Sequence, residues 1–159
     1  MEELSIPRRM PTGEEIGLAK GLMSGEVKPR NMRHSSLKYF FGPMIDEFRG
    51  APKEIRTWVQ VLALGRLAAI VGLPGEVFVE HGLRIKAESP FEHTFVIELA
   101  NDSIDYVPTV RAFQEEGSLE ASGGYETSIG PNVLVPEAGD MMVNSALRMM
   151  NGLYKDNGA

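Results

Sequence analysis

The sequence predicts an α/β (α+β) fold, a mixed β-sheet with flanking helices. Strand-like alternation occupies the centre of the chain, and segments with helical periodicity lie near both ends. The 159 residues are 43% hydrophobic and 24% charged, an ordinary globular composition for a chain with the length of one domain. We therefore expect residues 1–159 to form a single domain.

The first helix is predicted over residues 13–24. Thr12 and Glu15 form a capping-box pattern, apolar residues follow at helical spacing, and Gly25 ends the segment. A second, short helix is expected to begin at a cap on Ser35 or Ser36 and to run through Phe48.

A hairpin follows. Residues 55–61 alternate in the manner of a half-buried strand, Gly65-Arg66 offers a tight turn, and LAAIVGL (67–73) is typical of a fully buried strand. Pro74-Gly75-Glu76 ends that strand, and a helix is predicted from just after the turn until Ser89-Pro90.

The second half of the chain predicts shorter elements. A strand is expected in HTFVIELAN (93–101), a short one through Tyr106, and about two helical turns in VRAFQEE (110–116). A final helix over about 137–153 carries methionines at helical spacing, and such stripes usually belong to a core.

Charge and composition exclude several classes of function. The net charge is −6, so nucleic acid is not an expected partner, and the scattered basic residues Arg8, Arg9, Lys28, Arg30 and Arg33 are predicted to form a solvated surface. Without cysteines the chain has no disulfide and no thiolate metal site. The sequence as given has no signal-peptide pattern, and its longest apolar run, 67–73, is too short for a membrane span. We expect the chain as given to be soluble and cytoplasmic, without membrane association, and the compartment of the full-length protein stays open.

Three residues at chain reversals are candidates for chemistry. Glu76 follows the Pro-Gly turn at a strand end, where α/β enzymes place functional groups, although the alternative is a helix cap. Tyr106 precedes a proline turn and Tyr125 follows two glycines, and the alternative for each is an ordinary core tyrosine. The isolated histidines, His34, His81 and His93, are more typical of structural or solvated positions, so a complete zinc site is not expected.

Together these segments resemble the catalytic domain of the neutral/alkaline non-lysosomal ceramidase family and its bacterial relatives. The matching stretches are AAIVGLPGEVFVEHGLRIKAESPF (68–91), FVIELANDSIDYVPT (95–109), GGYET (123–127) and the helix-containing IPRRMPTGEEIGLAKGL (6–22). The resemblance implies that the chain is the C-terminal portion of a larger zinc hydrolase domain. Members of that family are often secreted.

The resemblance also implies residue roles. Zinc in that family is held by two upstream histidines, a glutamate and a tyrosine. The glutamate corresponds here to Glu76 and the tyrosine to Tyr106. Tyr125 corresponds to the tyrosine that points at the substrate carbonyl. The implied reaction is hydrolysis of an N-acyl amide such as ceramide, with other amides or esters as the alternative substrates. The segment GSLEASG, between Tyr106 and Tyr125, is longer than in the best-known members, and the histidine ligands would lie upstream of Met1.

A second function remains open. A domain fragment exposes core surface and strand edges, which recruit other chains. The chain would then be a non-catalytic interaction module that forms a homo-oligomer or completes a partner chain. A third hypothesis makes the Pro-Gly-Glu turn an anion site at a helix N-terminus, but the Glu76 charge opposes it.

Overall fold

The computed structural model describes residues 1–157. Its strands, in chain order, are β1 (Glu2–Pro7), β2 (Glu54–Leu64), β3 (Ala68–Gly72), β4 (Glu76–Val77), β5 (His93–Ile97) and β6 (Tyr106–Val107). Its α-helices are α1 (Gly13–Ser24), α2 (Met32–Ser36), α3 (Ile45–Gly50), α4 (Val79–Glu88), α5 (Val110–Glu116) and α6 (Ala138–Asp156). The predicted α+β class, a mixed sheet with flanking helices, is confirmed.

The main sheet has the strand order β1-β2-β3-β5. β1, β2 and β3 are antiparallel neighbours, whereas β3 and β5 are parallel and are connected through α4. The predicted hairpin is β2–β3. β1 was not predicted: it is a short strand with two glutamates, and only its pairing along β2 defines it.

The first helix agrees with the prediction, and the second begins at a different cap. α1 has the predicted bounds and the predicted capping box between Thr12 and Glu15. The next helical segment begins at Met32, because the Asn31 side chain accepts from the main-chain N–H of His34, so the predicted caps at Ser35 or Ser36 are wrong. The segment continues to Gly50 through a π-helical turn and a 3-10 turn.

One face of the main sheet is covered by helices. α6 packs across β1 and β2, and α4 packs beside α6 and β5. Val61, Val71 and Val96 lie side by side on this inner face and join the helices' apolar residues in one core. Met142 and Met150 of α6 are fully buried, which confirms the core role of the methionine stripe.

The outer face of the sheet is not covered by the described residues. On this face β2, β3 and β5 carry Leu62, Ile70 and Phe95 side by side. Leu62 is 51% exposed and Phe95 is 59% exposed. An antiparallel sheet that faces water normally alternates to polar residues on that side. The part of this face formed by β3, β5 and the end of β2 is apolar instead, whereas Glu3, Ser5, Arg56 and Gln60 make it polar toward β1.

Candidate functional site

The Pro-Gly-Glu turn is built around Gly75. Its φ is +84°, and a Cβ there would lie 2.5 Å from the Asp105 carbonyl oxygen, so only glycine fits. The Glu76 N–H donates to that same carbonyl at 3.0 Å, and the Leu99 N–H donates to the Gly75 carbonyl at 3.0 Å. The turn therefore fixes where Glu76 leaves the main sheet.

Glu76 does not cap a helix. It lies in β4, while α4 begins three residues later at Val79 with Phe78 at the N-cap position and no side-chain cap. The cap alternative is wrong. The helix predicted after the turn is present as α4 and ends before Ser89 as expected, but it begins at Val79 and not at the turn itself. The intervening residues pair with β6 instead of turning into helix.

Tyr106 is the strand partner of Glu76. β4 and β6 form a two-residue parallel ladder, separate from the main sheet, in which Glu76 pairs with Tyr106 and Val77 with Val107. Residues 131–132 hold the other side of Tyr106, because its N–H donates to the Pro131 carbonyl and the buried Asn132 amide donates to the Tyr106 carbonyl at 2.7 Å.

Tyr125 lies against Tyr106. Their rings meet edge to face with centroids 5.7 Å apart, and the Tyr125 ring makes a second edge contact with Phe40 at 5.5 Å. The preceding Gly124 has a φ of +82°, and a Cβ there would lie 2.8 Å from the Arg33 guanidinium. The three residues proposed from the sequence thus come together in one place.

The loop that carries Tyr125 is held by a buried arginine. Arg33 is 1% exposed, and its Nη2 donates to the carbonyls of Glu116 and Gly124, at 2.6 and 3.3 Å, and to Thr127 Oγ1 at 2.5 Å. Glu116 and Gly124 flank the GSLEASG segment, so one side chain closes that loop at its base. This closure brings the chain back to Tyr125, whose ring contacts that of Tyr106.

The predicted solvated basic surface is therefore wrong for part of its members. Arg33 is buried, and Arg9 is half-buried, donates to the Thr127 carbonyl at 2.8 Å and forms an ion pair with the buried Glu15. Arg30 does remain exposed, in a long contact of 3.9 Å with Glu120. Burial lowers the pKa of Arg33, with Arg9 adding to this effect and Glu15 and Glu116 opposing it.

The surroundings of Tyr106 are negatively charged. Side-chain hydrogen bonding with Glu76 raises the pKa of Tyr106. Desolvation raises it further, and so do the electrostatic effects of Glu76, Tyr125 and Glu126. Desolvation also raises the pKa of Asp105, with Glu76 in the same direction and Arg8 against it. Excess negative charge at a phenol favours an incoming cation.

Asp105, Glu126 and Arg33 were missed as contributors to this site. Asp105 and Glu126 each adjoin a candidate tyrosine in sequence, which is a usable signal. The role of Arg33 depends on hydrogen-bond acceptors that are distant in sequence, so no local sequence pattern predicts it.

The three histidines belong to three different elements, α2, α4 and β5. His34 and His81 are buried, and His81 Nε2 lies 3.4 Å from the Pro108 carbonyl oxygen, while His93 is exposed beside Glu92. Within residues 1–157 no three side chains among histidine, cysteine, aspartate and glutamate are placed to hold one metal ion. The described part of the chain does place a carboxylate and a phenol, those of Glu76 and Tyr106, on paired positions of one ladder.

Fold and site together define a mixed α+β protein with a carboxylate–tyrosine pair at a strand end. The chain matches no protein-family model, and comparison with curated proteins and with solved structures found no similar one. Across residues 1–157, no helix combines the length and the hydropathy needed to cross a bilayer.

Proposed function

We propose that this chain is the C-terminal part of a zinc-dependent amide hydrolase of the neutral ceramidase type, and that it carries half of the metal site. The observation that carries the proposal is the pairing of Glu76 with Tyr106, with the Tyr125 ring against the second of them. The resemblance to the neutral ceramidase family would give these same three residues related roles.

The donor set suits the proposed metal. Zinc accepts carboxylate and other oxygen ligands, and a catalytic zinc supplies a nucleophilic water and polarises a carbonyl when bound. Glu76 and Tyr106 would hold it, each from one strand of the β4–β6 ladder. The Tyr106 hydroxyl must lose its proton to become an anionic ligand, which its raised pKa opposes in the absence of a cation.

Tyr125 has a different task in this proposal. Its hydroxyl would donate a hydrogen bond to the oxygen of the scissile carbonyl, on which negative charge develops during attack. Its ring is fixed between Tyr106 and Phe40, so the hydroxyl is positioned without a change of conformation. The substrate class is an N-acyl amide, of which ceramide is one example.

The remaining ligands would come from another polypeptide segment with paired histidines. The chain alone should therefore bind zinc weakly and catalyse no hydrolysis. Isothermal titration of zinc into the parent chain, Glu76→Gln and Tyr106→Phe tests the metal site, and both variants should bind zinc more weakly than the parent. Tyr39→Phe, at a residue 64% exposed, is the matched control and should bind as the parent does.

Catalysis requires a complementation experiment. A histidine-bearing segment supplied in trans should produce zinc-dependent hydrolysis of an N-acyl amide, and Tyr125→Phe should reduce that activity by about a hundredfold. Tight stoichiometric zinc with full turnover by this chain alone would contradict the half-site. Zinc binding unchanged by Glu76→Gln and Tyr106→Phe would contradict the ligand assignment.

A second function is favoured by a separate observation, the uncovered apolar patch around Leu62, Ile70 and Phe95 on the outer face of the sheet. Exposed apolar patches of this kind mark contacts with other proteins. In this alternative the chain is a non-catalytic module that oligomerises or completes a partner chain. Its complexes should persist in a chelator and in Glu76→Ala, which size-exclusion chromatography with and without chelator would measure. A monomer that loses structure without zinc argues against it.

A further inference from the structure

β5 is an edge strand with main-chain groups that face outward. Among residues 1–157, β3 is its one neighbour in the sheet. The bonds from the His93 N–H to the Leu67 carbonyl and from the Leu73 N–H to the Ile97 carbonyl show which residues face β3. Because alternate residues of a strand direct their main-chain groups to opposite sides, those of Thr94 and Val96 point away from the sheet. Such an edge can accept another strand.

An apolar groove runs along this edge, between β5 and α4. It encloses about 250 Å³ and is lined from the helix by Val79, Gly82 and Leu83 and from the strand by Val96. Val79 and Leu83 are 69% and 58% exposed. Gly82 lies level with Val96, since a Cβ on Gly82 would be 3.8 Å from the Val96 side chain.

The charges of the groove are distributed along its length. Glu98 follows the C-terminal end of β5, whereas Lys86 also lies beside residues 91–95 at the N-terminal end. Within residues 1–157 neither side chain takes part in an ion pair. A strand added in the antiparallel direction from an identical chain would bring Lys86 of each copy toward Glu98 of the other.

We propose that a second copy of this chain docks on this edge. The two β5 strands pair antiparallel around a two-fold axis at Val96, which joins the two sheets into one. This register sets Phe95 of one copy opposite Ile97 of the other, and both residues are at least half exposed in the single chain. On the inner face, α4 packs against its symmetry mate, and Leu83 of each copy fits over Gly82 of the other.

The groove suits a second copy better than an unrelated strand. One patch serves both sides of a two-fold interface, and the contact closes after two copies. The opposite charges at the two ends of the groove are complementary in this arrangement and repulsive in a parallel one. The proposal is independent of the zinc site and makes the oligomeric alternative specific to one surface.

Sedimentation velocity of the full chain over a concentration series is the first measurement. The expected species is a dimer, twice the 17.5 kDa of the chain. Leu83→Glu places a charge in the apolar centre of the interface and should weaken dimerisation by roughly a hundredfold. Met10→Glu, at a residue 51% exposed beyond the opposite edge strand, is the matched control and should leave the dimer intact.

Charge reversal gives the decisive experiment. Lys86→Glu and Glu98→Lys should each weaken the homodimer, because each creates two repulsive contacts. An equimolar mixture of the two variants should recover dimers, since both cross-contacts are attractive in the mixed pair. A parent chain that stays monomeric, or variants that show no recovery on mixing, would overturn the proposal. A dimer that persists unchanged in Leu83→Glu would overturn this surface while leaving a general interaction function standing.

Discussion

Glu76 and Tyr106 occupy directly opposed positions in a parallel ladder of only two residue pairs. The ladder is short because Gly75 brings the chain out of the main sheet on one side and Pro108 follows β6 on the other. Isolated pairing of this length is weak, so the position of both side chains depends on the turn and on residues 131–132. The relative position of Glu76 and Tyr106 is therefore set by these surrounding residues.

The coupling between Glu76 and Tyr106 is measurable by titration. In Glu76→Gln the carboxylate that raises the pKa of Tyr106 is gone, so the phenol should titrate at lower pH than in the parent. Ultraviolet absorbance of the phenolate follows the titration, and subtraction of the Tyr106→Phe signal assigns it among four tyrosines. An unchanged difference titration would mean that the two groups do not interact in solution.

Gly75 should be intolerant of any side chain. Gly75→Ala imposes a left-handed φ on alanine and a clash with the Asp105 carbonyl, with an expected loss of roughly 2–3 kcal/mol in the free energy of unfolding. Gly17→Ala is the matched control, because Gly17 lies within α1 and a Cβ there meets nothing within 4 Å. The control should gain up to about 1 kcal/mol. Urea denaturation of both variants measures the difference, and equal effects would contradict the turn geometry.

The elements that local chemistry defines could be predicted. The capping box of Thr12 and Glu15, the Gly25 stop and the alternation along β2 all depend on residues close together in sequence. β1 could not be predicted in this way, since its pairing with β2 defines it. The Asn31 cap was missed because the following serines offered an equally good local pattern.

The candidate site shows the same division. The local turn sequence identifies each of Glu76, Tyr106 and Tyr125 as a candidate. Their approach to one another depends instead on the parallel pairing of β4 with β6 and on Arg33. Arg33 itself was assigned to a solvated surface because its acceptors, the carbonyls of residues 116, 124 and 127, lie far along the chain. Burial of a guanidinium is a tertiary property.

Removal of the Arg33 guanidinium should open the Tyr125 loop. Arg33→Met preserves most of the side-chain volume but leaves buried carbonyls without a donor, so an expected loss of roughly 3 kcal/mol accompanies faster amide exchange in residues 117–127. Hydrogen exchange by mass spectrometry measures the second effect. Arg30→Met is the control, because Arg30 is exposed and its ion pair is long, and it should change stability by less than about 0.5 kcal/mol. Equal exchange in the two variants would show that Arg33 does not hold the loop.

Zinc binding should depend on pH through Tyr106. The raised pKa keeps this phenol protonated in the metal-free chain, whereas an anionic oxygen is the better metal ligand, so binding should release the phenol proton. Because a proton is released, affinity should increase as the pH rises, up to the pH at which the free phenol itself ionises. Calorimetry in buffers of different ionisation enthalpy counts the released protons, and Tyr106→Phe should release fewer by about one. Tyr154→Phe is a suitable control, because that ring packs against Phe91 and Arg66 and has no part in the proposed site. Equal proton release in the parent and in Tyr106→Phe would exclude the Tyr106 phenol as the group that loses a proton, and with it the proposed coordination by a phenolate.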